Sequence, residues 1–221
     1  SKLKGKFDKI FIYALSPITV GILGIIAAKK FNCKSYLWVH DLWPESVKVA
    51  GGISNKFILS LINYMTKLIY KFTNIILVQS PEFKNYIKDQ NVLENKMIYY
   101  PYYAEDFYRV VDKQEEYKDL LPSGFNLVFA GNIGVAQSFD TIIGALELLK
   151  NYNINIVVLG DGRDKERVQK IIKDRGVSNK FFFLGSFPAK KMPNFFAFAD
   201  ALLITLKKAD IFSFTIPGKL Q

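Results

Sequence analysis

Cysteine and histidine are almost missing from this 221-residue chain, which has one of each, Cys33 and His40. A single cysteine excludes an intramolecular disulfide framework and a multi-cysteine zinc site, and it suits a reducing compartment. A single histidine leaves no cluster for a metal, so neither a metal nor a cofactor is expected. Arginine is also scarce. It is absent from residues 1–100, where 14 lysines face six acids, while residues 101–221 set 16 basic residues against 14 acids. The formal net charge of +10 therefore belongs mainly to the first half. Arginine is the usual residue for bidentate contacts to phosphates and base edges. An all-lysine excess points away from nucleic-acid readout and towards diffuse attraction to an anionic surface such as lipid head groups. A solvated, lysine-rich exterior is the plainer reading of the same residues. No nucleic-acid partner is expected, and no short repeat or low-complexity tract is visible.

What is present is apolar. Half of the residues are hydrophobic, 15% are aromatic and 23% charged, which excludes a disordered chain. The length admits one large domain or two small ones, at roughly 100–200 residues per domain. Residues 10–28 carry no charge, long enough to suggest a membrane span. Ile10–Leu15 is rich in β-branched and aromatic residues, however. Ser16-Pro17 then reads as a helix entry, with serine as the cap and proline in the first turn. A buried strand, a turn and a helix explain the run better than a span. No small-residue cleavage site follows it, which argues against a signal peptide.

Short apolar runs alternate with helical stretches. Strands are expected at 9–14, 35–39, 74–78, 97–100, 126–130, 154–159, 181–184 and 201–205. Helices are expected at 18–30, 56–71, 81–89, 139–149, 164–175 and 192–198. This alternation predicts an α/β fold with parallel sheets, whose strands are buried on both faces. The pattern breaks between Tyr102 and Ser123, which is acidic and lacks a strand. Residues 1–101 thus read as one domain, 102–124 as a linker and 125–221 as a second, doubly wound domain.

Three successive strands of that second domain end in glycine turns: Gly131-Asn132-Ile133-Gly134, Gly160-Asp161-Gly162 and Gly185-Ser186-Phe187. Glycine at a strand-to-helix turn lets backbone N–H groups approach a phosphate. Each turn alone is weak, and none has the spacing of a dinucleotide fingerprint or a P-loop. The triple suggests a crevice at the carboxyl edge of the sheet, where open α/β sheets bind ligands. In the first domain, His40 and Asp41 close a strand within WVHDLWPES. The acid is placed to bond the ring or a substrate hydroxyl, so the pair is a candidate general base. The helix at 56–71 carries aromatics and lysines. It reads either as an ordinary packing helix or as a basic amphipathic helix able to lie on a bilayer.

Taken in order, HDLWPES, LVQSPEFKNYI, MIYYPYY, FAGNIGVAQSFDTIIGALELL, VVLGDGRDKERVQ, FLGSFPAKKMPNFFAFADALLITL and IPGKLQ resemble a retaining GT-B glycosyltransferase of family 4. The similarity is greatest to the bacterial subgroup that builds capsule, O-antigen or exopolysaccharide. The resemblance covers nearly the whole chain and implies two Rossmann-like domains facing across a cleft, with the acceptor on the first and a UDP- or GDP-sugar on the second. It implies metal-independent transfer to a polyprenyl-diphosphate-linked or saccharide acceptor, in the cytoplasm at the inner face of the membrane. By the same resemblance His40 contacts the donor sugar. Gly131, Asn132 and Gly134 approach the diphosphate, Gly160, Asp161 and Gly162 lie near the nucleotide, Gly185, Ser186 and Phe187 frame the base, and Lys219 lies by a phosphate. Further β-α units would precede Ser1, and helices would follow Gln221.

Two departures matter. Val135 stands where many relatives carry arginine, which leaves Lys219, Lys207 or Lys208 to supply the charge. The subgroup's acidic pair falls at Phe214 and beyond Gln221, so no carboxylate is in place to hold the sugar ring. Pro101-Tyr102-Tyr103-Ala104-Glu105 also replaces the usual Pro-Asn-Gly-Val-Asp. The rival readings are a nucleotide-sugar 2-epimerase of the same fold and a non-catalytic fragment that binds nucleotide or membrane.

Overall fold

A computed structural model describes residues 4–220; the first three positions and Gln221, read above as chain ends, lie outside the described residues. The chain divides into two compact units. One runs to Tyr103 and takes in Lys208–Gly218; the other comprises Ala104–Lys207 and the chain from Lys219.

The first unit contains β1 (Lys9–Ala14), α1 (Val20–Lys30), β2 (Lys34–Val39), α2 (Glu45–Gly51), α3 (Lys56–Phe72), β3 (Ile75–Val78), α4 (Pro81–Lys88) and β4 (Met97–Tyr99). The four strands form one parallel sheet in the order β1-β2-β3-β4. The uncharged run at 10–28 is thus strand, turn and helix. Among the described residues no helix is long and apolar enough to cross a membrane.

Ser16 does not cap α1, which starts only at Val20; its hydroxyl instead donates to Asp41 Oδ2 at 2.7 Å. The caps of α3 and α4 follow the sequence signals. Asn55 Oδ1 accepts from the N–H groups of Phe57 and Ile58, and Ser80 Oγ from that of Phe83, with Pro81 at the first position. Each such cap stabilises its helix by roughly 1 kcal/mol. Helix α2 was not expected. It begins after Pro44 and stops at Gly52 in the left-handed region, so proline and glycine mark its two ends.

Burial on both strand faces holds for β2 and β3 but not for β1. Ile12 and Ala14 enter the core, while Phe11 and Tyr13, on the opposite face of the strand, stay exposed. Those two rings lean on Trp38 of β2, at 6.1 and 5.4 Å between centroids.

The second unit contains α5 (Glu115–Lys118), β5 (Phe125–Ala130), α6 (Phe139–Leu148), β6 (Ile154–Leu159), α7 (Lys165–Asp174), β7 (Phe181–Gly185), α8 (Met192–Phe196) and β8 (Ala201–Leu202). The parallel sheet has the order β7-β6-β5-β8. Strands β5 and β6 are buried on both faces. Phe129 and Val158 pack under α6 and α7, and Val128 and Val157 pack with Tyr117 and Phe195 on the other side. Strand β8 is shorter than expected. After Leu203 N–H bonds Val128 O, Thr205 Oγ1 and Lys207 N–H turn aside to the carbonyls of Gln137 and Ala136.

The division also differs from the one read from sequence. Part of the expected linker packs into the second core through Tyr117 of α5. Asn126 and Asn155, buried and bonded to each other, hold the carbonyls of Pro122 and Ser123. Lys208–Gly218, expected in the second domain, belongs to the first unit, because Ile211 of α9 (Asp210–Ser213) is buried in the first core. Ser80 Oγ also donates to Phe214 O at 2.6 Å.

Candidate functional site

In the second unit the strand order reverses beside β5, so the carboxyl ends of its strands flank a crevice. The three glycine turns meet there and are joined main chain to main chain. Gly131 N–H donates to Leu159 O, Ile133 N–H to Asp161 O, and Gly160 N–H to Gly185 O, each at 2.8 Å. The contact is too close for side chains. A Cβ on Gly160 would lie 2.0 Å from Gly131 O, and one on Gly162 would lie 2.2 Å from Ile133 O.

A cavity of about 350 Å³ opens above these turns. Gly131, Asn132, Gly160, Asp161, Ser186 and Phe187 line it, as do Tyr108 and Met192. Gly134, Gly162 and Gly185 support the turns and do not line it. Phe187 is braced by the tilted ring of Phe195 at 4.6 Å, and Tyr108 stacks on Phe196 at 6.3 Å. The cavity therefore has a polar main-chain floor and an aromatic wall, a combination that suits a flat heterocycle with polar substituents.

In the 131–134 turn three of the four backbone amides are already bonded within the protein. Gly131 and Ile133 spend their N–H groups on the neighbouring turn, and Gly134 N–H bonds Gln137 Oε1 at 3.1 Å. Asp161, exposed at the cavity, is also engaged. One oxygen accepts from Gly162 N–H and the other pairs with Lys165, contacts that hold its carboxyl below the usual range. Positive charge comes from Lys219. Its ammonium sits 3.7 Å from the centroid of the buried Phe129 ring and would lie 2.9 Å from a Cβ on Gly131. Although Lys219 as a residue is exposed, the loss of water around its ammonium lowers its pKa to about 8. Lys207, another candidate, acts on Asp140.

Sequence reasoning missed Arg167. It forks onto buried Asp164, with Nε at 2.7 Å and Nη2 at 2.8 Å, and reaches Asp140 with Nη1 at 2.8 Å. The two acids hold the guanidinium firmly charged, and the group ties the first turn of α6 to that of α7 just behind the glycine turns. The spacing of Asp164 and Arg167, three residues apart on one helix, was the available signal.

In the first unit His40 follows β2, and its ring is only 4% exposed. It lies among Tyr13, Trp38 and Tyr102, with centroids 4.4, 4.3 and 4.9 Å away. Nδ1 is hydrogen-bonded to the Tyr102 hydroxyl, while Nε2 is buried with no partner. Burial lowers the imidazole pKa to about 4, so the ring is neutral at pH 7. This is not the setting of a general base. Burial also raises the Tyr102 pKa, so its hydroxyl keeps its proton; it donates to Nδ1 or accepts from it according to the imidazole tautomer. The expected pairing of His40 with Asp41 is replaced. Asp41 accepts from Ser16, which in turn accepts from Trp43 Nε1 at 3.2 Å. Among the described residues no group of His, Cys, Asp and Glu side chains could hold a metal ion.

Residues 112–213 match the model of the glycosyl transferases group 1. An uncharacterized glycosyltransferase of Methanocaldococcus jannaschii is 26% identical over 197 residues, spanning 84% of this chain and 47% of its own length. WcaI of Escherichia coli K12, a glycosyl transferase named for colanic acid biosynthesis, is 27% identical over 139 residues, 60% of this chain and 33% of its own. The chain thus spans about half the length, or less, of these curated relatives. Among solved structures, Anabaena HepE in complex with UDP and glucose superposes with a TM-score of 0.71 at 14% identity, covering 90% of this chain and 53% of HepE. That likeness shows the GT-B fold, and the match at 112–213 is a similarity to the glycosyl transferases group 1 over just under half of the chain.

Proposed function

We propose that this chain is part of a glycosyltransferase that takes its sugar, with retention at the anomeric carbon, from a UDP- or GDP-sugar held by the second unit. The acceptor is lipid-linked or saccharide, and the product enters a bacterial surface polysaccharide at the inner face of the cytoplasmic membrane. The carrying observation is the cavity at the ends of β5, β6 and β7, whose main-chain floor and Phe187 wall fit a nucleoside while Lys219 stands beside the Gly131 turn. The UDP bound to HepE and the colanic acid pathway in the name of WcaI support this reading.

The chemical difficulty lies in the departure of a nucleoside diphosphate while positive charge builds on the sugar. A cation at the leaving phosphate lowers that barrier, most of all in a site shielded from water. Lys219 supplies the charge.

Isothermal titration of the chain with UDP, GDP and a panel of their sugar conjugates tests the reading. Binding of one conjugate, competed by its own nucleoside diphosphate, is expected. Indifference to every nucleotide would refute it. Conversion of one nucleotide-sugar into another without an acceptor would mark a 2-epimerase instead.

A further inference from the structure

Helix α3 is apolar on two sides. Thr66, Ile69 and Tyr70 are buried in the first unit. On the opposite side, Phe57 (79% exposed), Leu61 (61%), Tyr64 (63%) and Phe72 form a stripe facing water. Helix α1 lies alongside. A Cβ on its Gly21 would come within 2.7 Å of Ile69, and its Lys29 ammonium sits 4.9 Å above the Phe72 ring. It too is exposed and apolar on its outer side, through Leu23 (69%) and Ile26. The two helices together hold five lysines, at 29, 30, 56, 67 and 71, and no acidic residue.

We propose that this outer face of α3, with the adjoining side of α1, rests on an anionic lipid bilayer. An apolar stripe flanked by lysines is the pattern of a helix lying in the membrane interface, with its rings among the acyl chains and its ammonium groups at the head groups. Charge complementarity selects the occupant. Two helices that carry lysines and no acids complement an anionic leaflet better than a protein partner of mixed charge. The helix lies on the membrane and does not span it. The proposal is independent of the nucleotide site, so either can fail without the other.

Flotation of the 221-residue chain with vesicles provides the test. The chain should float with mixed phosphatidylglycerol–phosphatidylcholine vesicles at ~0.1 M salt and not with phosphatidylcholine alone. It should be released at ~1 M salt, where the Debye length is only about 3 Å. Lys67→Gln with Lys71→Gln should weaken binding about 25-fold, at about fivefold per lysine. Leu61→Gln with Tyr64→Gln should weaken it about tenfold or more. All four residues face water wholly or in part, and circular dichroism checks that the variants fold. Lys170→Gln with Lys173→Gln, on α7, removes the same charge elsewhere and should leave binding unchanged. Absence of flotation overturns the proposal. So does equal weakening by the α3 and α7 lysine pairs, which would reduce the effect to net charge. Self-association abolished by the α3 changes, without vesicle binding, would assign the face to a second copy and also overturn it.

Discussion

Replacing Gly160 with alanine should collapse the floor of the candidate cavity, and the cost can be worked from two glycines. Gly176 has φ +69° and open space around its missing side chain. Alanine there meets only the left-handed penalty, about 1 kcal/mol. Gly160 has φ +145°, and its Cβ would lie 2.0 Å from Gly131 O and 2.9 Å from the carbonyl carbon. No flexible side chain can yield, because both obstacles are backbone. The strained conformation alone costs about 1–3 kcal/mol. Parting the turns also threatens the bonds from Gly131 and Gly160 N–H, at about 1 kcal/mol each. A total of about 3–5 kcal/mol follows. With a urea slope of about 2 kcal/mol/M, the unfolding midpoint should fall by about 0.5 M for Gly176→Ala and by about 1.5–2.5 M for Gly160→Ala. Far-UV circular dichroism in urea measures both, and calorimetry should show UDP binding lost only in the Gly160 variant. Equal midpoint shifts, or a Gly160 variant that binds normally, would refute the reasoning.

Three other perturbations have definite outcomes. His40 binds a proton at about pH 6.5 when unfolded but only near 4 when folded, so its contribution is complete above pH 6.5 and is lost as pH falls towards 4. The full swing is about 3 kcal/mol by linkage, and His40→Phe should flatten the urea midpoint between pH 6.5 and 5; an unchanged slope counts against the burial argument. Lys219→Met should weaken UDP binding roughly tenfold or more, as expected for a lost charge-assisted bond. In the parent chain UDP affinity should fall as pH rises through about 8, where the free ammonium deprotonates; calorimetry at pH 7 and 9 should show a smaller change in the variant. Arg167→Met strands the buried Asp164 carboxylate and should cost about 1–3 kcal/mol, discounted because the guanidinium is partly exposed. Asp140→Asn, at the exposed arm of the fork, should cost less than about 1 kcal/mol by thermal melting.

What was legible in the sequence was what neighbours along the chain decide. Strands β1 and β6 fall on their expected residues, and the glycine turns sit at strand ends, because apolar runs and glycines act within a few positions. What was not legible depends on pairs the topology brings together. His40 and Tyr102 are 62 residues apart, and only the neighbouring placement of β2 and the chain after β4 joins them. A tyrosine in place of the usual motif residue gave no hint of that bond. The same holds for Lys208–Gly218. Its apolar residues are as compatible with one core as with the other, and Ser80 and the pocket for Ile211 decide the matter from more than a hundred residues away. The bonds that the Gly131 turn makes with its neighbour were hidden for a similar reason. Glycine content shows that a backbone can come close to something, but not that the something is the next strand's backbone.

The position of Trp38 has an optical consequence. Its indole is in contact with the imidazole, and its Nε1 is fixed to Tyr100 O at 3.0 Å. An imidazolium quenches indole emission far more than a neutral ring does, so Trp38 is a label-free fluorophore reporting the charge of His40. The only other tryptophan is Trp43. With Trp43→Phe as background, emission intensity followed through an acid titration, or on addition of a sugar substrate, would read events at this buried ring in real time.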